Sequence, residues 1–380
     1  MRVLLTGGGT AGHINPALAI AQTIKQNDPS AVIEFVGVKQ GKESDLVPRE
    51  GYKLHFVESM GIRRSLSPAN IKALWMAFYS PYAKQTVSII KNFKPDVVIG
   101  TGGYACWPIM AAAARLGIPT ALHESNALPG LAVRRLQKKV DRIWINFEST
   151  RTLLNSMDKV VHVGNPLRTG FGILKREDAR RKLGIDEEQH LVLSFGGSLG
   201  ANAVNDAMLA PMARCTEDEK RIHVHASGKR DYARMKSLLA ARMPSPCDRC
   251  ILTDYIYDMP TYMAAADVVI GRAGAMTVSE LAMMHKAAIL IPSPNVADDH
   301  QYKNAKVLAD ADAATLVREA DFESGALDTA IEELLRDDAL RARRMSNIAA
   351  FARTDSNRLI WEEIRTLLKD AETRKEGCKE

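Results

Sequence analysis

The chain is poor in cysteine and in aromatic residues, with five cysteines and 6% Phe, Trp and Tyr in 380 residues. Cys106, Cys215, Cys247, Cys250 and Cys378 are odd in number and scattered, which excludes a disulfide framework and suits a reducing compartment. Cys247 and Cys250 form a C-x-x-C, but zinc needs a second pair of ligands. The nearest histidines, His223 and His225, sit in an alternating, strand-like run, so no metal site is expected. No apolar run approaches the roughly 20 residues that a membrane-spanning helix requires. Apolar strand sequence begins at residue 2, so no secretory signal is expected and a cytoplasmic location is the reading. A strong charge of one sign is lacking too. The net +6 is weak support for nucleic acid, and fits a diphosphate or an anionic phospholipid surface better.

What is present is strand–helix alternation in a chain long enough for two domains, with 46% hydrophobic and 25% charged residues. Strand candidates in the first half are residues 2–5, 32–36, 96–99, 119–122, 142–145 and 160–163. In the second half they are residues 191–195, 221–225, 251–252, 267–270, 288–291 and 313–317. Their continuous Val/Ile/Leu runs predict parallel strands covered on both faces, and the alternation predicts two doubly wound α/β domains. The expected boundaries are 1–163, 164–352, a helix over 353–370 packing back across the junction, and a charged tail over 371–380.

Two glycine-rich turns open the two halves: Gly7-Gly8-Gly9-Thr10-Ala11-Gly12-His13 and Gly196-Gly197-Ser198-Leu199-Gly200-Ala201. A strand that ends in glycines and turns into a helix presents backbone N–H groups and the positive end of a helix dipole, a geometry that favours phosphate. Two such turns suggest a nucleotide held in a cleft between the domains. Gly7, Gly9 and Gly12 satisfy G-x-G-x-x-G, so a nicotinamide-dependent oxidoreductase is one alternative. Against it, no acidic residue ends the second strand, since Glu34 is internal to it. Moreover, Asn15-Pro16 reads as N-cap and first helical position, leaving Gly12 and His13 in the loop. An imidazole in that loop is a candidate general base, because its ordinary pKa lies near neutral pH.

Further polar groups sit at expected carboxyl ends of strands, the edge where open α/β sheets bind ligands. These are Gly102-Gly103-Tyr104, His123-Glu124-Ser125-Asn126, and residues 271–280, where residues 275–280 open a helix and Glu280 could accept from sugar hydroxyls. A polar helix entry covers residues 298–305, and Asp310 with Asp312 reads as a solvated turn. A helix expected from Ser67-Pro68 carries Ile71, Leu74, Trp75, Phe78 and Tyr79 on one stripe, flanked by Arg63, Arg64, Lys72 and Lys84. That stripe is either core-facing or interfacial, and periodicity leaves both open.

These motifs, in order from residue 1 to about 370 and joined by Gly164-Asn165-Pro166-Leu167-Arg168 and His300-Gln301, resemble the MurG family of cell-wall glycosyltransferases. The resemblance implies glycosyltransferase family 28 and the GT-B architecture, two Rossmann-like domains facing across a cleft. It implies inverting transfer of N-acetylglucosamine from UDP-GlcNAc to a muramoyl-pentapeptide pyrophosphoryl-undecaprenol lipid. No tightly bound cofactor is implied, and the part of a divalent cation stays open. The N-terminal domain would meet the lipid and the C-terminal domain the nucleotide. His13 would be the general base, and Glu280 would position the donor through its ribose. Donor contacts would come from Thr10, Ala11, Gly12, Asn126, Arg168, Ser198, Ile256, Ala275, Met276, Thr277, Val278, Ser279, His300 and Gln301. Tyr104, His123 and Glu124 would lie on the acceptor side, and Ile71, Leu74, Trp75 and Phe78 would form a membrane patch. The implied partners are the donor, the lipid acceptor, an anionic membrane surface and cell-wall synthesis proteins, with no nucleic acid. The implied place is peripheral, on the cytoplasmic face of the cell membrane. The chain departs from its relatives at Ala11, where glycine is common, and at Ser125 and Leu199, where glutamine is frequent. The alternatives are a related glycosyltransferase with another acceptor such as a diacylglycerol, and a nucleotide-sugar-binding module without chemistry.

Overall fold

The computed structural model describes residues 1–9, 11–57, 81–168, 170–197, 200–216, 220–243, 245 and 247–377. The sequence-predicted stripe of Ile71, Leu74, Trp75 and Phe78 lies outside the described residues, as do Thr10 and Ser198. The chain divides into two compact units, Met1–Arg168 with Thr354–Glu380, and Thr169–Arg353.

Unit 1 holds seven strands: β1 (Arg2–Thr6), β2 (Val32–Gly37), β3 (Lys53–Phe56), β4 (Val97–Gly100), β5 (Thr120–Glu124), β6 (Arg142–Ile145) and β7 (Val160–His162). Their order in the sheet is β3-β2-β1-β4-β5-β6-β7, and every pairing is parallel. Helices α1 (Ala11–Asn27), α2 (Glu43–Arg49), α3 (Pro81–Phe93), α4 (Cys106–Arg115) and α5 (Leu131–Leu136) connect them. Unit 2 repeats the plan with β8 (His190–Phe195), β9 (Arg221–Ala226), β10 (Cys250–Thr253), β11 (Val268–Gly271), β12 (Ala287–Leu290) and β13 (Thr315–Leu316), ordered β10-β9-β8-β11-β12-β13. Its helices are α6 (Arg176–Leu183), α7 (Asn202–Ala213), α8 (Tyr232–Arg242), α9 (Met259–Ala265), α10 (Ala275–Met283), α11 (His300–Asp310), α12 (Ala326–Arg336) and α13 (Asp338–Ala349). Both sheets reverse their winding at the first strand, β1 against β4 and β8 against β11. That switch point is where such sheets open a ligand crevice. The two fourth strands have the same sequence, Val-Val-Ile-Gly.

Patterning accounts for the layers. Val3, Leu4 and Leu5 are all fully buried, as strands covered on both faces require. Helix α1 turns Ile14, Ala17, Leu18, Ala21 and Ile24 onto the sheet, at the spacing of one helical face. The last helix, α14 (Ser356–Gly377), belongs to unit 1. Its Ile360, Ile364 and Leu367 join the α1-side core, while Arg142 pairs with Asp370 at 2.7 Å and Arg374 with Asp141 at 2.9 Å.

The structure differs from the sequence reading in two places. Helix α1 begins at Ala11, so Gly12 and His13 belong to its first turn and Pro16 lies inside it. Pro16 is the sixth residue of the helix, past the four N-terminal N–H groups that have no partner within it, and its missing N–H removes one bond, that to the Gly12 carbonyl. Strand β3 was not anticipated, because Lys53 and His55 break its apolar pattern. Both pair with Glu34 on β2, Lys53 at 3.1 Å. In the turn after α11, Asp312 has a left-handed φ of 53° and pairs with Arg343 and Arg344.

Candidate active site

In unit 1 the loops after β1 and β4 interlock because each glycine leaves room for a partner. A Cβ at Gly7 would lie 2.0 Å from the Thr101 hydroxyl, and one at Gly9 would lie 2.5 Å from the Tyr104 ring. Gly103, at φ 82°, brings its backbone so close that a Cβ would meet the Gly8 carbonyl at 2.1 Å. The Gly8 N–H donates to the Gly102 carbonyl at 3.3 Å, closing the pair of loops.

Thr101, itself buried, holds His13 twice. The Thr101 hydroxyl donates to the His13 carbonyl at 2.6 Å, and the Thr101 carbonyl lies 3.2 Å from His13 Nδ1. A carbonyl only accepts, so Nδ1 carries the proton and Nε2 is the basic nitrogen. Gly12 beside it is exposed and His13 half-buried, while Ala11 begins the helix. Tyr104 is half-buried, and burial together with the charge of Glu43 pushes its phenol upward.

Two of the expected acceptor-side residues, His123 and Glu124, are the last residues of β5. Both side chains are buried and bonded internally. His123 Nε2 donates to the Gly164 carbonyl at 2.9 Å, Ser125 Oγ lies 3.3 Å from Nδ1, and burial lowers the imidazole pKa to about 4. The neutral ring thus ties β5 to the Gly164-Asn165-Pro166 turn. Glu124 accepts from the Gly130 N–H at 2.7 Å and from the Asn126 N–H and amide at 2.9 and 3.1 Å; burial raises its pKa. The half-buried Asn126 is the group this carboxylate orients at the sheet edge. Arg168 is exposed and lines a cavity of about 320 Å³ with Leu18, Lys25, Glu50 and Tyr52, along the distal half of α1 and not at its first turn.

In unit 2 the described residues expected on the donor side share the carboxyl edge of the sheet. Gly196 and Gly197 follow β8, Ile256 follows β10, residues 275–280 follow β11, and His300 with Gln301 follow β12. Gly200 takes φ 76° so close to β9 that a Cβ would lie 2.0 Å from the Ser227 carbonyl. Helix α10 starts at Ala275 after Gly274, whose backbone is extended and supplies no side-chain cap. Its first N–H groups are therefore the kind of terminus that receives a phosphate. Glu280 is its sixth residue, and the first turn carries no acidic side chain, so Glu280 is not a carboxylate set against the dipole there. Met276, Thr277, Ser279 and Glu280 are half-buried, whereas Ala275 and Val278 face the core. Ile256 is buried between the exposed Tyr255 and Tyr257, so its backbone is what that loop can offer. Gln301 accepts from the Ser293 N–H at 2.9 Å, which directs its amide relative to the β12 loop.

Sequence reasoning missed the groups that hold these loops. Fully buried Asn304 donates to the Ala273 carbonyl at 3.2 Å, fastening the turn before α10. Beneath the second glycine turn, the Ser194 hydroxyl bridges His223 Nε2 at 2.8 Å and His225 Nδ1 at 2.7 Å, and His225 Nε2 donates to Asn205 Oδ1 at 3.0 Å. Burial lowers both imidazoles, His225 to about 4. The histidine alternation along β9 was the one visible signal. Among the described residues no group of three His, Cys, Asp or Glu could hold a metal ion, and no helix is long and apolar enough to cross a membrane.

Comparison with known proteins agrees with this geometry. Residues 3–145 match the glycosyltransferase family 28 N-terminal domain and residues 191–359 its C-terminal domain. The chain is 39% identical over 371 residues to the UDP-N-acetylglucosamine–N-acetylmuramyl-(pentapeptide) pyrophosphoryl-undecaprenol N-acetylglucosamine transferase of Acetivibrio thermocellus, covering 97% of this chain and 99% of that one. It is equally similar, over 367 residues, to the protein of that name from Caldanaerobacter subterraneus, covering 97% and 100%. The crystal structure of Acinetobacter baumannii MurG superposes with a TM-score of 0.74 at 25% identity, covering 96% of this chain and 99% of that one. A UDP-GlcNAc 2-epimerase from Neisseria meningitidis shares the fold at a TM-score of 0.65 and 14% identity, covering 96% and 100%. The chain belongs to glycosyltransferase family 28, in the MurG family of GT-B N-acetylglucosaminyltransferases.

Proposed function

We propose that this chain moves N-acetylglucosamine from UDP-GlcNAc to the muramoyl-pentapeptide pyrophosphoryl-undecaprenol lipid by a single inverting displacement. The observation that carries the reading is the His13 ring, held through Nδ1 by the Thr101 carbonyl so that Nε2 is its basic nitrogen. The acceptor hydroxyl attacks the anomeric carbon, its proton passes to His13 Nε2, and the bond to the diphosphate oxygen breaks as UDP leaves. A base so placed contributes roughly 10²–10⁴-fold. Unit 2 holds the nucleotide: the α10 N-terminus and Ser198 with the second glycine turn take the diphosphate, Glu280 the ribose, the Ile256 backbone the uracil, and His300 with Gln301 the sugar. Charge on the leaving group is met by the backbone N–H groups of these turns rather than by Arg168, which lines the cavity along the distal half of α1; electrostatic stabilisation of this kind counts most where charge develops. Thr10, Ala11, Gly12 and Asn126 line the transferred sugar, and Tyr104 flanks the acceptor.

The lipid acceptor calls for a membrane-facing side, with the protein peripheral on the cytoplasmic face. Supporting it, Leu131, Arg134, Arg135, Lys138 and Lys139 are all exposed around α5, and Lys139 lies over the Trp107 ring at 5.8 Å. Each such cation is worth about 1 kcal/mol against an anionic surface. Ile71, Leu74, Trp75 and Phe78 would supply the apolar part. The test is transfer of labelled N-acetylglucosamine from UDP-GlcNAc to a short-chain analogue of the muramoyl lipid. Label in the lipid with release of UDP is expected. Saturable donor binding without transfer, or transfer to a diacylglycerol instead, would overturn the acceptor.

A further inference from the structure

The first glycine loop carries an anion of its own. Glu43 opens α2, thirty-odd residues along the chain, yet its side chain is fully buried against the loop. One carboxylate oxygen accepts the Gly9 N–H at 2.9 Å and the other accepts the Val38 N–H at 2.9 Å. Three glycines from three segments make the space it fills. A Cβ at Gly8 would lie 2.3 Å from its Oε1, one at Gly37 2.4 Å from its Cγ, and one at Gly41 2.1 Å from its Oε2. Among the described residues no Lys, Arg or His pairs with it. Backbone N–H groups in a glycine loop attract anions, and here the anion is a built-in carboxylate.

We propose that Glu43 is a positioning residue for the transfer, acting through His13. By holding the Gly9 N–H it fixes the loop that leads into α1, and so the place of the imidazole two residues into that helix. It also takes the Gly9 N–H away from any substrate phosphate, so this loop meets the transferred sugar by shape and the acceptor through His13. Misplacement of a catalytic group by about 1 Å can cost roughly 10²-fold in rate. The inference rests on the proposed role of His13, and the test separates the two.

The experiment is a double-mutant cycle on the full chain, with turnover, UDP-GlcNAc binding and thermal melting measured for each variant. In E43Q the amide places an N–H against one of the two backbone donors, so turnover should fall about 10- to 100-fold with donor binding unchanged. H13A should lose about 10²–10⁴-fold. The double variant should be no slower than H13A to within a few-fold, because the carboxylate acts only through the ring. A merely structural role for Glu43 would instead multiply the two losses, and that result, or an E43Q turnover within about twofold of the parent, overturns the inference. Full turnover in H13A would remove the base itself, which is a separate failure. Gly37→Ala is the second route. It displaces the carboxylate from outside the loop at ordinary backbone angles, and should show the same non-additive loss even where E43Q folds poorly.

Discussion

Asp267→Asn should destabilise unit 2 by about 3–5 kcal/mol, because this carboxylate organises three elements at the amino end of β11. Its side chain is 6% exposed, with Arg180 beside it at 2%. One oxygen accepts from Arg176 at 2.6 Å; the other accepts from Arg180 at 3.2 Å and from the Leu191 N–H at 2.8 Å, so α6, β8 and β11 meet on one group. Arg180 also donates to the Ala265 carbonyl at 3.1 Å and to the Gln189 carbonyl at 2.5 Å, which keeps it partly satisfied and places the cost at the lower end, about 3 kcal/mol. For a unit of this size each kcal/mol moves the melting temperature by about 2–4 °C, so a fall of roughly 6–12 °C is expected by circular dichroism. The pH dependence supplies a second check. Burial pushes the Asp267 pKa up, but the Arg176 hydrogen bond, the Leu191 N–H and the two guanidinium charges outweigh it and the net shift is downward. A depressed carboxylate stabilises the fold above its unfolded pKa, near 4, and that stability is lost as pH falls through the folded value. The parent should therefore lose stability below about pH 4 more steeply than the variant. A melting shift under about 2 °C, or identical acid limbs, would refute the assignment of Asp267 as the organising charge.

Glu280→Gln weakens a charge-assisted hydrogen bond to the donor, worth about 1.5–3 kcal/mol. Initial rates should show the donor KM raised roughly 10- to 100-fold, and a KM within twofold of the parent would separate Glu280 from the donor. Asn304→Ala leaves the Ala273 carbonyl without its amide partner and should cost about 1–3 kcal/mol by urea unfolding, with weaker UDP-GlcNAc binding in titration calorimetry. His123, held neutral with a pKa of about 4, takes up a proton less readily folded than unfolded. Stability should therefore fall as pH drops from 6.5 toward 4, by up to about 1.4 kcal/mol per pH unit, and His123→Gln should flatten that slope. An unchanged slope would assign it to His223 and His225 instead.

The apolar runs of β1, β4, β8 and β11, each ending in or followed by glycine, are legible in the sequence because a covered parallel strand is largely apolar and a sharp exit from it favours glycine. The same runs identify the carboxyl edges, and hence put His13 after β1 and residues 275–280 after β11 at the carboxyl edges of their sheets. Strand β3 was hidden because an edge strand can carry Lys53 and His55, whose partner Glu34 lies on the neighbouring strand. The inward turn of His123 and Glu124 was hidden for a similar reason. A polar pair at a strand end reads the same whether it faces solvent or the Gly164 carbonyl and the Gly130 N–H. Only the tertiary structure decided which segments meet: Thr101 with His13, 88 residues apart, and Glu43 with Gly9, 34 apart. Local sequence governs backbone angles and burial over a few residues. Strand order and the space left by missing side chains govern contacts across a hundred, and those exist only once the sheet has formed.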